Sequence, residues 1–249
     1  MDNTIEQSLR EITKHPALDN AFYSDWMSRC LNLNELQVFA RNYGAWVRSF
    51  PDALATLVVT TSDLEAKGEY VKTLYSEMGY GNSSKAHSVL LDAFFSALAE
   101  KLGDRSRLDW GRLERDVELA PSTRDLLAGE LELYRDAQMS VGAQLALEWQ
   151  AYTMLRQLYD GARNYLHLWD QPDEFHEACE YFYAHIGAAE KDHKDQSLRA
   201  LVQSAREGTI GKTMQGYNRH LDLIFNFWNG LHKAVVSKAA RTSPATATP

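Results

Sequence analysis

Three glutamates and three histidines, Glu77, His87, Glu148, His185, Glu190 and His193, fall in stretches that carry the apolar periodicity of buried helix faces. Charged side chains are rarely buried without a partner, so such a set needs a reason to be inside. Oxygen and imidazole donors without thiolate form the ligand set that non-haem iron or manganese prefers and structural zinc does not. The set therefore reads as a carboxylate-bridged pair of iron ions able to activate dioxygen. The plainer reading beside it is a scatter of structural ion pairs and solvated helix ends.

Local context weights each member differently. In Tyr181-Phe182-Tyr183-Ala184-His185-Ile186-Gly187-Ala188-Ala189-Glu190-Lys191-Asp192-His193, small residues leave room beside the donors. On an ideal wheel of about 100° per residue, His185 and His193 stand about 80° apart, and Glu190 lies about 60° beyond His193. The plainer alternative here is a polar face just past the buried end of a helix. Glu148 sits on the stripe of Leu145, Tyr152 and Leu155, where a carboxylate needs a base, a hydrogen-bond network or a metal. An ion pair with Arg48 or Arg156 would also satisfy it. Glu77 and His87 flank a glycine-rich turn, Gly79-Tyr80-Gly81, so a helix hairpin can bring them together. Arg41, Tyr43, Arg48 and Trp149 are candidate pocket groups, with packing or surface charge as the alternative for each.

The elements that must position these residues are helices. Six prolines in 249 residues and long 3.6-residue periodicities predict an all-α chain, and no alternating β-branched stretch predicts a sheet. Helices are expected near 3–14, 18–31, 34–61, 63–79, 84–102, 122–165, 172–208 and 210–238. An asparagine of Asn32-Leu33-Asn34-Glu35 should cap the third, Pro51 should kink it, and 103–121 should be a loop with a short helix. No linker divides the pattern, so residues 1–240 are expected to form one domain and 241–249 a disordered tail. A formal charge of −8 gives no basic footprint for nucleic acid. No apolar run approaches a membrane span, and a cytoplasmic location is expected. Cys30 and Cys179 both fall in expected helices, as small buried hydrophobes in a reducing compartment.

Taken in order, Glu77-Met78-Gly79-Tyr80-Gly81, His87-Ser88-Val89-Leu90-Leu91, Glu148 in an apolar helix and His185, Glu190, His193 resemble the haem-oxygenase-like di-iron oxygenases. Phe39-Ala40-Arg41-Asn42-Tyr43 and Phe50-Pro51 resemble that family's second core helix, and the likeness spans roughly residues 30–200. The resemblance implies a seven-helix haem-oxygenase-like bundle that binds two Fe2+ and O2 and no haem. It implies chemistry on a small amino-acid-like or fatty-acid-like substrate: oxidative C–C cleavage, N-oxygenation or terminal alkene formation, often in natural-product pathways. It leaves room for an electron donor and points to a homodimer. By position, Glu77, His87, Glu148, His185, Glu190 and His193 are the implied ligands.

One departure stands out. The family's last helix carries its carboxylate four residues after the first histidine, where this chain has Ala189. Either a π-bulge between His185 and Glu190 absorbs the extra residue, or Asp192 replaces the final histidine. Two rival readings share the architecture: a thiaminase II-like hydrolase using Cys179 or Cys30, and a non-enzymatic helical binding protein. A haem enzyme would have only His15 to offer on its first helix. A ferritin-like site would need two Glu-x-x-His motifs, and only Glu190-Lys191-Asp192-His193 has that form.

Overall fold

In the computed structural model, backbone is described for residues 3–186, 188–204 and 208–242, and side chains for 5–184, 194–202 and 208–238. Every regular element among them is helical. In chain order these are α1 (Asn3–Glu11), α2 (Ala21–Ser28), α3 (Leu33–Thr60), α4 (Leu64–Glu77), α5 (His87–Lys101) and α6 (Trp110–Asp116). There follow α7 (Pro121–Arg135), α8 (Met139–Ala162), α9 (Pro172–Ala178), α10 (Glu180–Ile186), α11 (Ala188–Ser204) and α12 (Ile210–Thr242), with short 3-10 turns between some of them. The all-α class is as expected, but the described helices number twelve, not seven. None is long and apolar enough to cross a membrane.

The starts and stops follow from local chemistry. Asn32 accepts from the backbone N–H of Asn34 and Glu35 while Glu35 accepts from that of Asn32, a reciprocal cap that sets the start of α3. Pro51 lies inside α3 and does not end it. The helix expected over 122–165 is broken at Asp136. Its Oδ1 accepts from the N–H of Gln138 and of Met139, both at 3.0 Å, and so caps a new helix. Apolar periodicity runs through this break without a glycine or proline, which is why one helix was expected. The stretch expected as one helix over 172–208 is α9, α10 and α11. Helix α12 enters the expected tail as far as Thr242, and 243–249 lie outside the described residues.

Helix α8 is the axis of the bundle, packed by α2, α7, α10, α11 and α12. Its crossing with α12 is close because glycine stands on both sides. A Cβ on Gly142 would lie 1.7 Å from Thr213 O, and one on Gly216 would lie 2.0 Å from Met139 O. Phe22, Tyr23, Trp26, Phe39, Tyr43 and Trp228 form a continuous aromatic core at one end, tied to α8 by Trp26 Nε1 donating to Leu158 O at 2.8 Å. The cysteines divide. Cys179 is buried between α9 and α10, whereas Cys30 lies past the end of α2, exposed, with its thiol on Asn164 O at 3.3 Å. Neither lies within a helix, because Arg29 already leaves helical geometry and Cys179 caps α9, and the expected burial fails for Cys30 alone.

One polar cluster is buried in the packing of α3, α7 and α12. Trp46 Nε1 points at both Glu130 carboxyl oxygens, 3.3 Å from each, and His220 Nδ1 lies 3.9 Å from Oε1, beyond hydrogen-bond reach. Burial pushes Glu130 up to about 8, against the Trp46 hydrogen bond, and burial lowers His220 to about 3, so both are neutral near pH 7. Glu130 holds its proton in the folded chain and loses it near 4.5 when unfolded, so stability falls as pH rises from about 4.5 to about 8. His220 acts oppositely, with stability falling as pH drops from 6.5 towards about 3. Glu130→Gln should therefore raise the melting temperature at pH 8 and flatten its decline above pH 5, read by thermal denaturation across pH. An unchanged alkaline slope would contradict the assignment.

Candidate functional site

Glu77 and His87 owe their meeting to the turn between α4 and α5. The N–H of Tyr80 bonds back to Tyr75 O and that of Gly79 to Ser76 O, the paired bonds of a left-handed helix stop. Gly79 has φ +71°, and a Cβ there would press on backbone atoms of Asn82, Lys85 and Ala86. The chain reverses tightly enough that Glu77, the last residue of α4, and His87, the first of α5, lie side by side. Glu77 Oε2 is 2.7 Å from His87 Nδ1, and both side chains are buried.

Their placement runs against the helix dipoles. An anion at a helix C-terminus and a cation at a helix N-terminus are each disfavoured. The direct contact compensates. Burial alone would lower the His87 pKa, but the charge and hydrogen bond of Glu77 outweigh it and raise it from its ordinary value.

Glu148 stands in the middle of α8, 2% exposed. Neither expected arginine reaches it: Arg48 pairs with Asp92, and Arg156 lies 3.9 Å from Asp160. Instead Gln144 Nε2, one turn earlier on the same face, donates to Glu148 Oε1 at 2.5 Å, and Tyr134 OH donates to Gln144 Oε1 at 2.5 Å. With the amide NH2 turned to the Glu148 carboxylate, the amide oxygen is left to accept from the phenol.

Glu77 and Glu148 line the same cavity of about 60 Å³, room for a few waters or small ions. Helix α3 contributes Tyr43, Trp46, Val47 and Phe50 to its wall; α8 adds Leu147, Ala151, Met154 and Leu155; α10 adds Tyr181. Among the described residues the wall is apolar apart from the two carboxylates and two phenols, the Trp46 indole N–H being turned to Glu130. Those phenols, Tyr43 and Tyr181, meet oxygen to oxygen at 2.7 Å, and burial raises both pKa values, so they stay protonated. On the far side of the Glu77–His87 pair, His87 lines a second cleft with Ser76, Tyr80, Lys85 and Glu180.

Of the expected pocket groups only Tyr43 is on the cavity wall. Arg41 and Arg48 stack over Trp110 at 4.9 and 3.6 Å from its ring centre, and Trp149 lies beneath Lys194. Trp46, Tyr181, Gln144 and Tyr134 were not anticipated. Gln144 had a readable signal, since a residue four before a buried glutamate shares its face. Neither cysteine lines the cavity, and burial pushes the Cys179 thiol up to about 12, opposite to what a nucleophilic thiolate needs.

His185 lies in α10, and Glu190 and His193 in α11; their side chains, with that of Asp192, are outside the described residues. So is residue 187, on which the expected bulge turns. The backbone does bring these helices to the site: α10 packs on α5 and α8, and α11 on α4 and α8. They therefore meet every helix that carries Glu77, His87 or Glu148. Among the described residues no group of three histidine, cysteine, aspartate or glutamate side chains is arranged to hold a metal ion. The donors that are described, two carboxylates at one cavity and an imidazole on one of them, are of the type that iron takes.

Residues 37–224 match the family of iron-containing redox enzymes. No curated protein is similar to the chain in sequence. Among solved structures, a CADD-like protein of unknown function from Nostoc punctiforme PCC 73102 superposes with a TM-score of 0.74 at 16% identity, over 94% of this chain and 98% of its own. A domain of unknown function with a haem oxygenase-like fold from Shewanella denitrificans OS217 gives 0.69 at 13% identity, over 98% and 97%. A TenA homologue from Pseudomonas syringae pv. tomato str. DC3000 gives 0.66 at 12%, over 91% and 92%. At these identities the structures speak for the fold alone. With three quarters of its length matched, the chain belongs to the iron-containing redox enzyme family and folds as a haem-oxygenase-like helical bundle.

Proposed function

We propose that the protein is a non-haem di-iron oxygenase or oxidase that uses O2 on a small amino-acid-like or fatty-acid-like molecule. The observation that carries this reading is the convergence of Glu77 and Glu148, from α4 and α8, on one buried apolar cavity, with His87 against Glu77. Glu77, His87 and Glu148 would hold the metal together with His185, Glu190 and His193 from α10 and α11. Bound iron would supply the redox chemistry that activates dioxygen, which no amino-acid side chain supplies.

The protein's own residues do the rest. Gln144, held by Tyr134, orients the Glu148 carboxylate at the cavity wall. The apolar walls from α3 and α8 keep bulk water from the two carboxylates. The Tyr43–Tyr181 pair places two hydrogen-bonded phenols in the wall beside the carboxylates. C–C cleavage, N-oxygenation and decarboxylation are all compatible with this arrangement. A cytoplasmic enzyme served by an electron donor fits the same reading, with no role for nucleic acid or membrane.

Two outcomes test it. After anaerobic ferrous loading, the wild-type chain should hold about two irons, and Glu148→Ala should lose metal and substrate-dependent oxygen consumption while keeping its helical circular dichroism. Full turnover by Glu148→Ala would remove that residue from the site. Gln144→Leu should weaken iron binding by about 10–100-fold in a chelator competition, as loss of a ligand's orienting partner does. Unaltered iron affinity would leave Gln144 with a packing role only.

A further inference from the structure

Aromatic side chains run in an unbroken file from the cavity wall to the surface. Tyr43 stands on the wall, hydrogen-bonded to Tyr181 at 2.7 Å. One turn earlier on α3, the ring of Phe39 lies 5.7 Å from that of Tyr43 and 5.1 Å from the indole of Trp26 on α2. Trp26 in turn lies 5.7 Å from Tyr165, in the 3-10 turn that follows α8. At the far end two contacts interlock. Tyr165 OH donates to Leu31 O at 2.8 Å, and the Cys30 thiol donates to Asn164 O at 3.3 Å. Tyr43, Trp26 and Tyr165 are buried, whereas Cys30 is exposed.

The order of residue types separates this file from plain packing. A phenol stands at the cavity, an indole in the middle, then a second phenol and a surface thiol, and each of these can give up an electron. The indole is also seated with care. Its Nε1 donates to Leu158 O at 2.8 Å, and Gly161 leaves it room, since a Cβ there would lie 2.0 Å from Trp26 Cδ1. A side branch runs from Tyr43 to Trp228 at 5.8 Å and from Trp228 to Tyr23 at 4.7 Å. Both of its rings are buried, so among the described residues that branch has no exit.

We propose that this file carries electrons from Cys30 to the cavity, so that an oxidising equivalent formed there without substrate is discharged at the surface and not on the wall. The proposal rests on the oxygenase reading, because the oxidant it needs is the oxygen-derived one at bound iron. The wall phenol loses an electron to that oxidant and regains one from Trp26, Trp26 from Tyr165, and Tyr165 from Cys30. Phe39 is the contact between the Tyr43 and Trp26 rings and is not itself oxidised. In sum every aromatic is restored. The Cys30 S–H bond breaks, its electron travels inward, its proton passes to water, and the sulfur is left as a thiyl radical. The oxidant is reduced by that electron and takes up one proton at the site. A low-molecular-weight thiol then returns a hydrogen atom to the sulfur and is itself oxidised. Burial raises the Cys30 pKa from its ordinary value, so the group stays a thiol and serves as an electron source, not as a nucleophile.

Two arms test this, one with iron and one without. The ferrous-loaded full chain is exposed to O2 without substrate, with catalase present to remove free peroxide, and its peptides are read by mass spectrometry. Cys30 should be the main oxidised residue. Trp26→Phe and Tyr165→Phe should each cut its oxidation at least tenfold at unchanged iron content, and move the damage to Tyr43 and Tyr181. Cys30 oxidation indifferent to both variants overturns the inference, as does a wild-type chain oxidised at the wall with Cys30 intact. A chain that holds no iron would overturn the oxygenase reading, so the path is also read without metal. A ruthenium polypyridyl photo-oxidant is attached to the exposed Cys30 thiol of the iron-free chain and flashed repeatedly with an external electron acceptor. Oxidation should reach Tyr43 and Tyr181, and Trp26→Phe should cut it at least tenfold. Oxidation that stops at Tyr165 in the wild-type sequence overturns the inference.

Discussion

Ionised oxygens are costly inside a helical bundle, and the arrangement of this protein follows from meeting that cost at one place. Glu77 and Glu148 are removed from water on facing helices, and each is given a dedicated hydrogen-bonding side chain: His87 for the first, Gln144 for the second. Those partners need support of their own. Gln144 needs Tyr134 from α7, and His87 needs a turn tight enough to start α5 beside the end of α4. The glycine-lined crossing of α8 with α12 then holds the helix that carries Glu148 at a fixed height in the bundle.

The cavity is the counterpart of that constraint. Among the described residues its walls are mostly aromatic and aliphatic groups from α3 and α8. One of the two phenols donates to the other, a bond that needs no solvent. Elsewhere in the core the same difficulty is met differently. Glu130 and His220 are not ion-paired but held neutral by burial, so they add no charge to the interior at pH 7. The contrast separates a structural buried acid from one placed at a cavity with a histidine against it.

Much of this was legible in the amino-acid order. The helical class, the Asn32 cap, the Gly79 turn and the pairing of Glu77 with His87 rest on local signals, which act over a few residues and survive any tertiary context. Glu148 was legible because a carboxylate on an apolar stripe is an anomaly that only a partner resolves. What escaped depends on distance through space. Tyr181 and Trp46 read as ordinary core aromatics until α10 and α3 are brought to the same cavity. Arg41 and Arg48 read as pocket cations, yet Trp110, far away in sequence, draws both to its ring. The break at Asp136 was hidden because a capping aspartate looks like any surface acid inside a helical periodicity.

The central claim is that Glu77 and Glu148 share one iron centre in the cavity between α3, α4, α8 and α10. Anomalous diffraction from iron-loaded crystals, recorded on either side of the iron absorption edge, tests it most directly. The account predicts anomalous density inside that cavity, within bonding distance of both carboxylates. Fully loaded crystals with iron bound only elsewhere, and none beside these two glutamates, would contradict it.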